Sequence, residues 1–151
     1  VISRLMETGI QQWKIHESLF NQNTFEKLRL WGHAFLNKLK VMPEFRTAYI
    51  YLKEEELKLF GFREGDLEGL VNFALSIRGV TLGALFSERG GKIRISFRSV
   101  GSFSVNRFAR LHFNGGGHEN AAGGSSQITM EETLEQFETL LQEYRDELNA
   151  Q

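Results

Sequence analysis

The sequence of 151 residues contains no cysteine and a single proline. Without cysteine, disulfide bonds, thiolate zinc sites and thiol nucleophiles are all excluded. The sequence also lacks an apolar run long enough to span a bilayer, and no signal peptide opens it. We therefore expect a soluble, cytoplasmic protein that does not bind a membrane. The length and the apolar fraction of 41% predict one globular domain, or one domain with an appendage.

Acidic residues are missing from the segment between Arg89 and His118, which carries six arginines and lysines. The end of the chain is acidic instead, because from Met130 onward seven carboxylates accompany one arginine, Arg145. The net charge of −1 conceals this segregation. A basic segment of this kind favours an anionic partner, although sheet and helix surfaces can also differ in charge without any ligand.

Aspartate is scarce, since the chain has only Asp66 and Asp146. A Ser-His-Asp triad needs an acid to orient its histidine, and neither aspartate stands in such a context. A two-metal phosphoesterase centre needs several aspartates and histidines close together. The four histidines have no partner at ligand spacing: His16, His33, His112 and His118. We therefore expect neither a complete active site nor a metal site within this chain.

The first 42 residues show helical patterns but no motif that suggests catalysis or ligand binding. A first helix ends at Gly9, a second runs from Trp13 to Phe20, and Thr24 can cap a third. The apolar stripe of the third helix has 3-4-4 spacing: Leu28, Trp31, Phe35 and Leu39. Pro43 is expected to end it. The chain starts at Val1 without methionine, so we expect a fragment in which residues 1–42 are a helical linker or the end of a missing domain, and residues 43–151 are the main domain.

From residue 43 onward, strands and helices alternate. Strands are predicted at 47–52, 80–87, 92–98 and 125–129, with a Gly90-Gly91 hairpin turn between the second and third. Helices are predicted at 54–60, from Asp66 through Leu75, from Ser104 up to the glycine run, and from Thr129 to the end. This order predicts an α/β fold, with α+β as the alternative, built on a mixed sheet of four or five strands flanked by helices.

The strand at 92–98 has one apolar and one basic face, because Ile93, Ile95 and Phe97 alternate with charged or polar residues. Arg98 and Ser99 stand where this strand ends. A guanidinium there can hold a phosphate in bidentate fashion, with the serine hydroxyl as a further donor. The alternative for Arg98 is a surface salt bridge, for example to a glutamate of the C-terminal helix.

The glycine run Gly115-Gly116-Gly117 leads into His118. Residues 118–122 are compatible with a helix, so we expect a glycine loop that runs into a helix N-terminus and forms an anion cradle of backbone amides, most simply for phosphate. His118 can donate to the same anion. The cradle follows Arg98 by 17 positions, and the two are expected to face one cleft. The alternative is a flexible turn, and neither nucleotide-loop motif fits the spacing.

These residues resemble a known family. Gly115-Gly116-Gly117-His118 followed by Ala121-Ala122-Gly123 is similar to the GGGHxxAAG signature of the DHH-associated C-terminal domain, although Asn114 stands where a fourth glycine is common. The domain accompanies a DHH catalytic domain in a phosphoesterase superfamily that includes RecJ-type exonucleases. Further stretches resemble the nanoRNase subfamily, which hydrolyses oligoribonucleotides and 3′-phosphoadenosine 5′-phosphate: residues 8–9, 15–17, 65–72, 76–80 and 95–99.

The resemblance implies that this chain holds substrate rather than cleaves it. The Asp-His-His motif and its companion aspartates, which hold manganese (or magnesium) in the family, are absent, so the catalytic domain is expected to precede Val1. The resemblance implies that six residues of this chain bind substrate: Arg98, Ser99, Gly115, Gly116, Gly117 and His118. The implied ligand is a short single-stranded RNA or a bisphosphorylated nucleotide.

Two other functions are compatible with the same sequence. The chain also resembles the C-terminal part of alanyl-tRNA synthetase, which suggests a non-catalytic module for a larger RNA. A dimerisation or scaffold domain that uses residues 1–42 is the third possibility, and a homodimer is also compatible with the substrate-binding function.

Overall fold

Six strands form one mixed sheet in the computed structural model, which describes residue 11, residues 13–14 and residues 23–150. The strands are β1 Leu39–Met42, β2 Thr47–Leu52, β3 Leu82–Glu88, β4 Ile93–Ser99, β5 Gly116–His118 and β6 Ala121–Ser126. Their spatial order is β1-β2-β3-β4-β6-β5. Only β2 and β3 run parallel among these described strands, and all other neighbours are antiparallel.

The helices lie on both faces of this sheet. They are α1 Phe25–His33, which continues as a π-helical turn over Ala34–Lys38, α2 Glu54–Leu59, α3 Leu70–Leu75, α4 Val105–His112, α5 Met130–Glu143 and α6 Arg145–Asn149. A short 3₁₀ turn, Pro43–Phe45, joins β1 to β2. In the part of the chain that the structure describes, no helix combines the length and apolar composition needed to cross a membrane.

One face of the sheet, which we call the aromatic face, carries Phe86 and Phe97 and packs against α4 and α5. The ring of Phe137 from α5 lies 5.1 Å from that of Phe86, and Phe108 from α4 lies 5.5 Å from Phe97. All four rings are fully buried. Edge-to-face packing of this kind adds stability beyond the area that is buried.

The opposite face, which we call the cleft face, carries Ile50, Leu85 and Arg98. Helices α1 and α3 cover its β1–β3 half through a second buried cluster that includes Leu30 and Leu70. Gly83 allows this close packing, because a Cβ there would lie 3.1 Å from the Val71 carbonyl oxygen. The β4–β6–β5 half carries mostly small and basic residues on this face.

The predicted fold class is confirmed, with two strands that the sequence did not indicate. The third helix was expected to run to Pro43, but its helical turns end at Lys38 and Leu39 is already extended, so that prediction is wrong. The cause is tertiary, since Leu39–Met42 pairs with β2. The last strand is β6, four residues earlier than expected, because pairing with β4 overrides the low strand propensity of Ala121–Ser126.

Several local predictions are confirmed. Thr24, Ser104 and Thr129 each cap a helix, and Thr129 forms a capping box with Glu132. The expectation that Asp66 caps a helix is wrong, because α3 begins only at Leu70. The Asp66 carboxylate instead accepts the Arg63 backbone N–H at 2.7 Å, within a turn.

The proposed helices of residues 1–22, and His16 with them, lie outside the described residues. The division at residue 42 stays a prediction. What the structure adds is that α1 already packs on the sheet, since Leu30 and Ala34 are fully buried in the cluster of the cleft face.

Candidate functional site

Arg98 and His118 lie in one row across the sheet. Arg98 on β4 is paired with Ala121 on β6, and Ala121 is paired with His118 on β5. Side chains directly opposite each other in antiparallel strands share a face, and neighbouring strands are just under 5 Å apart, so the two Cα atoms are about 10 Å apart. Both side chains can therefore contact one small ligand above Ala121.

Arg98 is half-buried, and its guanidinium donates to the Phe97 carbonyl oxygen of its own strand at 2.9 Å. Among the residues that the structure describes, no carboxylate lies within ion-pair distance of it. The alternative salt bridge to the C-terminal helix is not formed, since α5 packs on the aromatic face. A guanidinium has five N–H donors, so most of them remain for a ligand.

The glycine run forms strand β5 and a tight hairpin rather than a loop before a helix, so the expected helix at residues 118–122 is wrong. Residues Glu119 and Asn120 make a two-residue turn that leads into β6. A Cβ at Gly115 would lie 2.0 Å from the Gly123 carbonyl oxygen, and one at Gly117 would lie 2.6 Å from that of Ala121. Glycine is needed at positions 115 and 117 because the backbone of β6 passes too close for any side chain.

Two of the three glycine amides already have acceptors within the protein. Gly115 donates its N–H to the Ala109 carbonyl oxygen at 3.2 Å, and Gly117 donates to the Asn106 side-chain oxygen at 3.1 Å. The expected cradle of bare amides at a helix N-terminus is therefore not formed. The glycines hold the backbone so that His118, which is exposed, follows at the surface of the cleft face.

The structure places Ser99 away from the other candidate residues. It lies on the aromatic face and is only 5% exposed. Its hydroxyl donates to the Phe103 carbonyl oxygen at 2.7 Å and accepts from the Asn120 amide nitrogen at 2.9 Å. The sequence could have predicted this position. Side chains alternate between the two faces of a strand, so Ser99 lies on the same face as Phe97 and on the opposite face from Arg98.

Two asparagines that sequence reasoning missed support the site. Asn106 at the start of α4 accepts from Gly117 and also from Arg110 at 3.0 Å. Asn120 in the hairpin turn ties β4 to that turn through Ser99. Asparagine close after a glycine run is typical of side chains that satisfy backbone groups in turns, and this pattern could have indicated Asn120 but not Asn106, which lies in α4.

A cleft of about 450 Å³ extends from Arg98 along the cleft face. Strands β3 and β4 form its floor, and the segment before α3 forms its other wall. At the far end Arg89 makes an ion pair with Glu64 at 3.0 Å and lies 5.5 Å from the centre of the Phe62 ring. This cleft could not be recognised in the sequence, because its lining comes from two separate stretches, residues 62–71 and residues 85–98.

The described residues do not fit a metal site. Within residues 23–150 and the three described residues before them, no group of three or more histidine, aspartate or glutamate side chains is placed to hold an ion. The manganese or magnesium implied by the resemblance has no donor set in this part of the chain.

The chain is similar to proteins of one family. The sequence profile of the DHHA1 domain matches residues 47–150. A bifunctional oligoribonuclease and PAP phosphatase, NrnA, from Bacillus subtilis is 34% identical over 131 residues, which cover 83% of this chain and 41% of that protein. The crystal structure of an exopolyphosphatase-related protein from Bacteroides fragilis is 41% identical, with a TM-score of 0.92, over 98% of this chain and 43% of that one.

A more distant structure shares the fold alone. It is a pGpG-specific phosphodiesterase from Vibrio cholerae, 17% identical with a TM-score of 0.56, over 94% of this chain and 44% of that chain. The present chain thus spans less than half the length of each of these three proteins.

Proposed function

The chain belongs to the DHHA1 domain family, and on that premise we propose that it is the substrate-binding part of a metal-dependent phosphoesterase acting on short oligoribonucleotides, 3′-phosphoadenosine 5′-phosphate, or both. The observation that carries the proposal is the row formed by Arg98, Ala121 and His118 on an accessible sheet face. The name of the Bacillus subtilis relative supports this substrate class.

In this proposal Arg98 binds one phosphate group through two parallel N–H donors, which match the spacing of two phosphate oxygens. His118 donates to an oxygen of the same group from the other side. Ala121 between them is small and leaves room for the phosphate. Gly115, Gly116 and Gly117 position His118 through the backbone, and Ser99 positions the turn rather than contacting substrate.

Hydrolysis is assigned to a DHH domain that supplies the metal ions, since the described residues offer no metal site. The part of the reaction that this chain performs is to bind the phosphate and orient the nucleotide. Affinity is expected to be weak for the isolated chain and to fall with added salt, because the contacts are largely electrostatic.

The test is a titration of the chain with the dinucleotide pApA, followed by NMR. The backbone amides of residues 98 and 115–118 are expected to shift together. The absence of any shift there at millimolar dinucleotide contradicts the proposal. Affinity should also saturate within a few nucleotides, whereas a steady rise with oligomer length favours a module for larger RNA.

A further inference from the structure

The cleft beyond Arg98 has one wall that the proposed phosphate site does not use. This wall is the segment 62–71, which overlaps the stretch 65–72 that resembles the nanoRNases. The cleft volume of about 450 Å³ is in the range that holds a small organic ligand. Because Arg98 lines the same cleft, a nucleotide bound there can extend into it.

The wall is held by two contacts from other elements and by one within the segment itself. The indole N–H of Trp31 donates to the Asp66 carbonyl oxygen at 2.7 Å, and the Asp66 carboxylate accepts from the Arg63 backbone. Glu64 ties the segment to Arg89 at the end of β3. Gly65 and Gly69 have φ angles of 99° and 84°, which turn the chain twice and separate Glu68 from helix α3. Glu68 is therefore not an acid of the first helical turn.

The lining combines a small apolar surface with polar and charged groups around it. Leu67, Val71 and Leu85 line the cleft but are nearly fully buried, so they contribute only the small apolar part. Ser96, half-buried on the floor, offers a hydroxyl. A small apolar surface surrounded by hydrogen-bonding groups suits a flat ring with polar edges, such as a nucleobase.

Two carboxylates line the cleft. Glu64 forms an ion pair with Arg89, whereas Glu68 has no ion-pair partner among the residues described. A carboxylate can only accept hydrogen bonds at neutral pH. It therefore matches an exocyclic amino group, and it repels a carbonyl oxygen at the same position of a base.

We infer that this cleft holds the base of the nucleotide whose phosphate lies at Arg98 and His118, and that the Glu68 carboxylate selects bases that carry an exocyclic amino group. The inference rests on the proposed function. Ser96 precedes Arg98 by two positions on the same face of β4, so this part of the cleft floor lies about 7 Å from the arginine, comparable with the separation of phosphate and base in one nucleotide.

The experiment compares two pairs of nucleotides that exchange this amino group for a carbonyl; the ring nitrogen beside it changes as well, from an acceptor in AMP and CMP to an N–H donor in IMP and UMP. AMP carries an amino group where IMP carries a carbonyl, and CMP differs from UMP in the same way. Dissociation constants for all four are measured with the chain and its Glu68→Gln, Glu68→Lys and Arg98→Ala variants. The control is Glu143→Gln, which changes an exposed glutamate of α5 on the other face.

The chain is expected to bind AMP and CMP about fivefold more tightly than IMP and UMP, the effect of one charge-assisted hydrogen bond at a partly open site. Glu68→Gln should bring both ratios near one, because an amide can donate as well as accept. Glu68→Lys should invert them, and Glu143→Gln should preserve them. Glu68 and Glu143 are exposed, so their variants are expected to fold, and thermal unfolding of every variant, including Arg98→Ala, provides the check.

Failure of the inference is distinguishable from failure of the proposed function. Equal binding of AMP and IMP, and of CMP and UMP, together with weaker binding by Arg98→Ala, overturns base selection and leaves the phosphate site. If the chain prefers AMP and CMP but Glu68→Gln and Glu68→Lys keep the same preference, base selection by Glu68 is also overturned. If Arg98→Ala binds all four nucleotides like the parent chain, both the proposed function and the inference are wrong.

Discussion

Ser99 and Asn120 bind each other twice across the end of strand β4. The Asn120 side-chain amide donates to the Ser99 hydroxyl oxygen at 2.9 Å, and the Ser99 backbone N–H donates to the Asn120 carbonyl oxygen at 3.1 Å. Asn120 is in the turn that follows His118. The pair therefore fixes the position of the hairpin whose end carries the candidate ligand-binding histidine.

Ser99→Ala is expected to lower the free energy of unfolding by about 1–3 kcal/mol, because it removes a buried hydroxyl that donates to the Phe103 carbonyl oxygen and accepts from the Asn120 amide. Nucleotide binding should weaken less than in Arg98 variants, since Ser99 lies on the other face. Denaturant unfolding and a pApA titration measure the two effects. Thr139→Ala, at an exposed position of α5, is the control and should change neither strongly.

Gly115→Ala is expected to disrupt the β5–β6 hairpin, because its Cβ would lie 2.0 Å from the Gly123 carbonyl oxygen, and a backbone atom cannot move aside like a flexible side chain. A loss of at least about 1–3 kcal/mol is typical of overpacking. Unfolding curves measure the loss, and weaker nucleotide binding should accompany it as His118 is displaced.

Gly32→Ala is the matched control. Gly32 lies in helix α1 with no atom within 4 Å of the added Cβ, so the same change should raise stability by about 0.5–1 kcal/mol. Equal effects of the two substitutions would contradict the close-approach explanation for the glycine run.

The helix caps show what local chemistry can predict. Thr24, Ser104 and Thr129 accept backbone N–H groups three residues on, and that interaction needs no information from the rest of the chain. The glycine run shows the limit. Its residues are compatible with a loop, a helix start or a strand, and pairing of Gly116–His118 with β6 decides between them.

The candidate site, too, could be predicted from the sequence only in part. Arg98 could be placed on the polar side of its strand from alternation alone, and His118 was selected through its motif. That the two lie in one row follows from the strand order β4-β6-β5, which depends on long-range pairing. The cleft beyond Arg98 could not be predicted either, because its wall depends on the contact between Trp31 and Asp66, 35 residues apart.

Glu138 is expected to make stability depend on pH. Burial raises the pKa of its carboxyl, but hydrogen bonds from Lys40 and Tyr49 outweigh burial and hold the pKa below its ordinary value. A carboxyl with a lower pKa in the folded state contributes stability above its unfolded-state pKa of about 4.3, and that contribution is lost as pH falls through the folded-state pKa.

Glu138→Gln should therefore lower the melting temperature at neutral pH and reduce the further loss on acidification. Melting temperatures of the parent chain and the variant across acid and neutral pH test this expectation. Glu143→Gln, an exposed change on the same helix, should follow the parent curve. Identical acid sensitivity of Glu138→Gln and the parent would show that the contacts with Lys40 and Tyr49 do not contribute.

Arg98→Ala is expected to weaken binding of pApA by about 1–3 kcal/mol, the usual loss when a hydrogen bond to a charged group is removed. Arg98→Lys should recover only part of this, because an ammonium cannot form two parallel hydrogen bonds with a phosphate. Calorimetry or NMR titration provides the constants, with Arg145→Ala on α6 as the control arginine. If both Arg98 variants bind like the parent, the arginine has only a structural role.

Arg98 and His118 should also act together, because their row places both beside the same ligand group. In a double-mutant cycle with Arg98→Ala and His118→Ala, residues that share one phosphate give effects that do not add, with a coupling of about 0.5–3 kcal/mol. The dissociation constant of pApA for the parent, the two single variants and the double variant measures this coupling. Strict additivity would mean that the two side chains hold different groups of the ligand, and the phosphate would then have to be assigned to Arg98 alone.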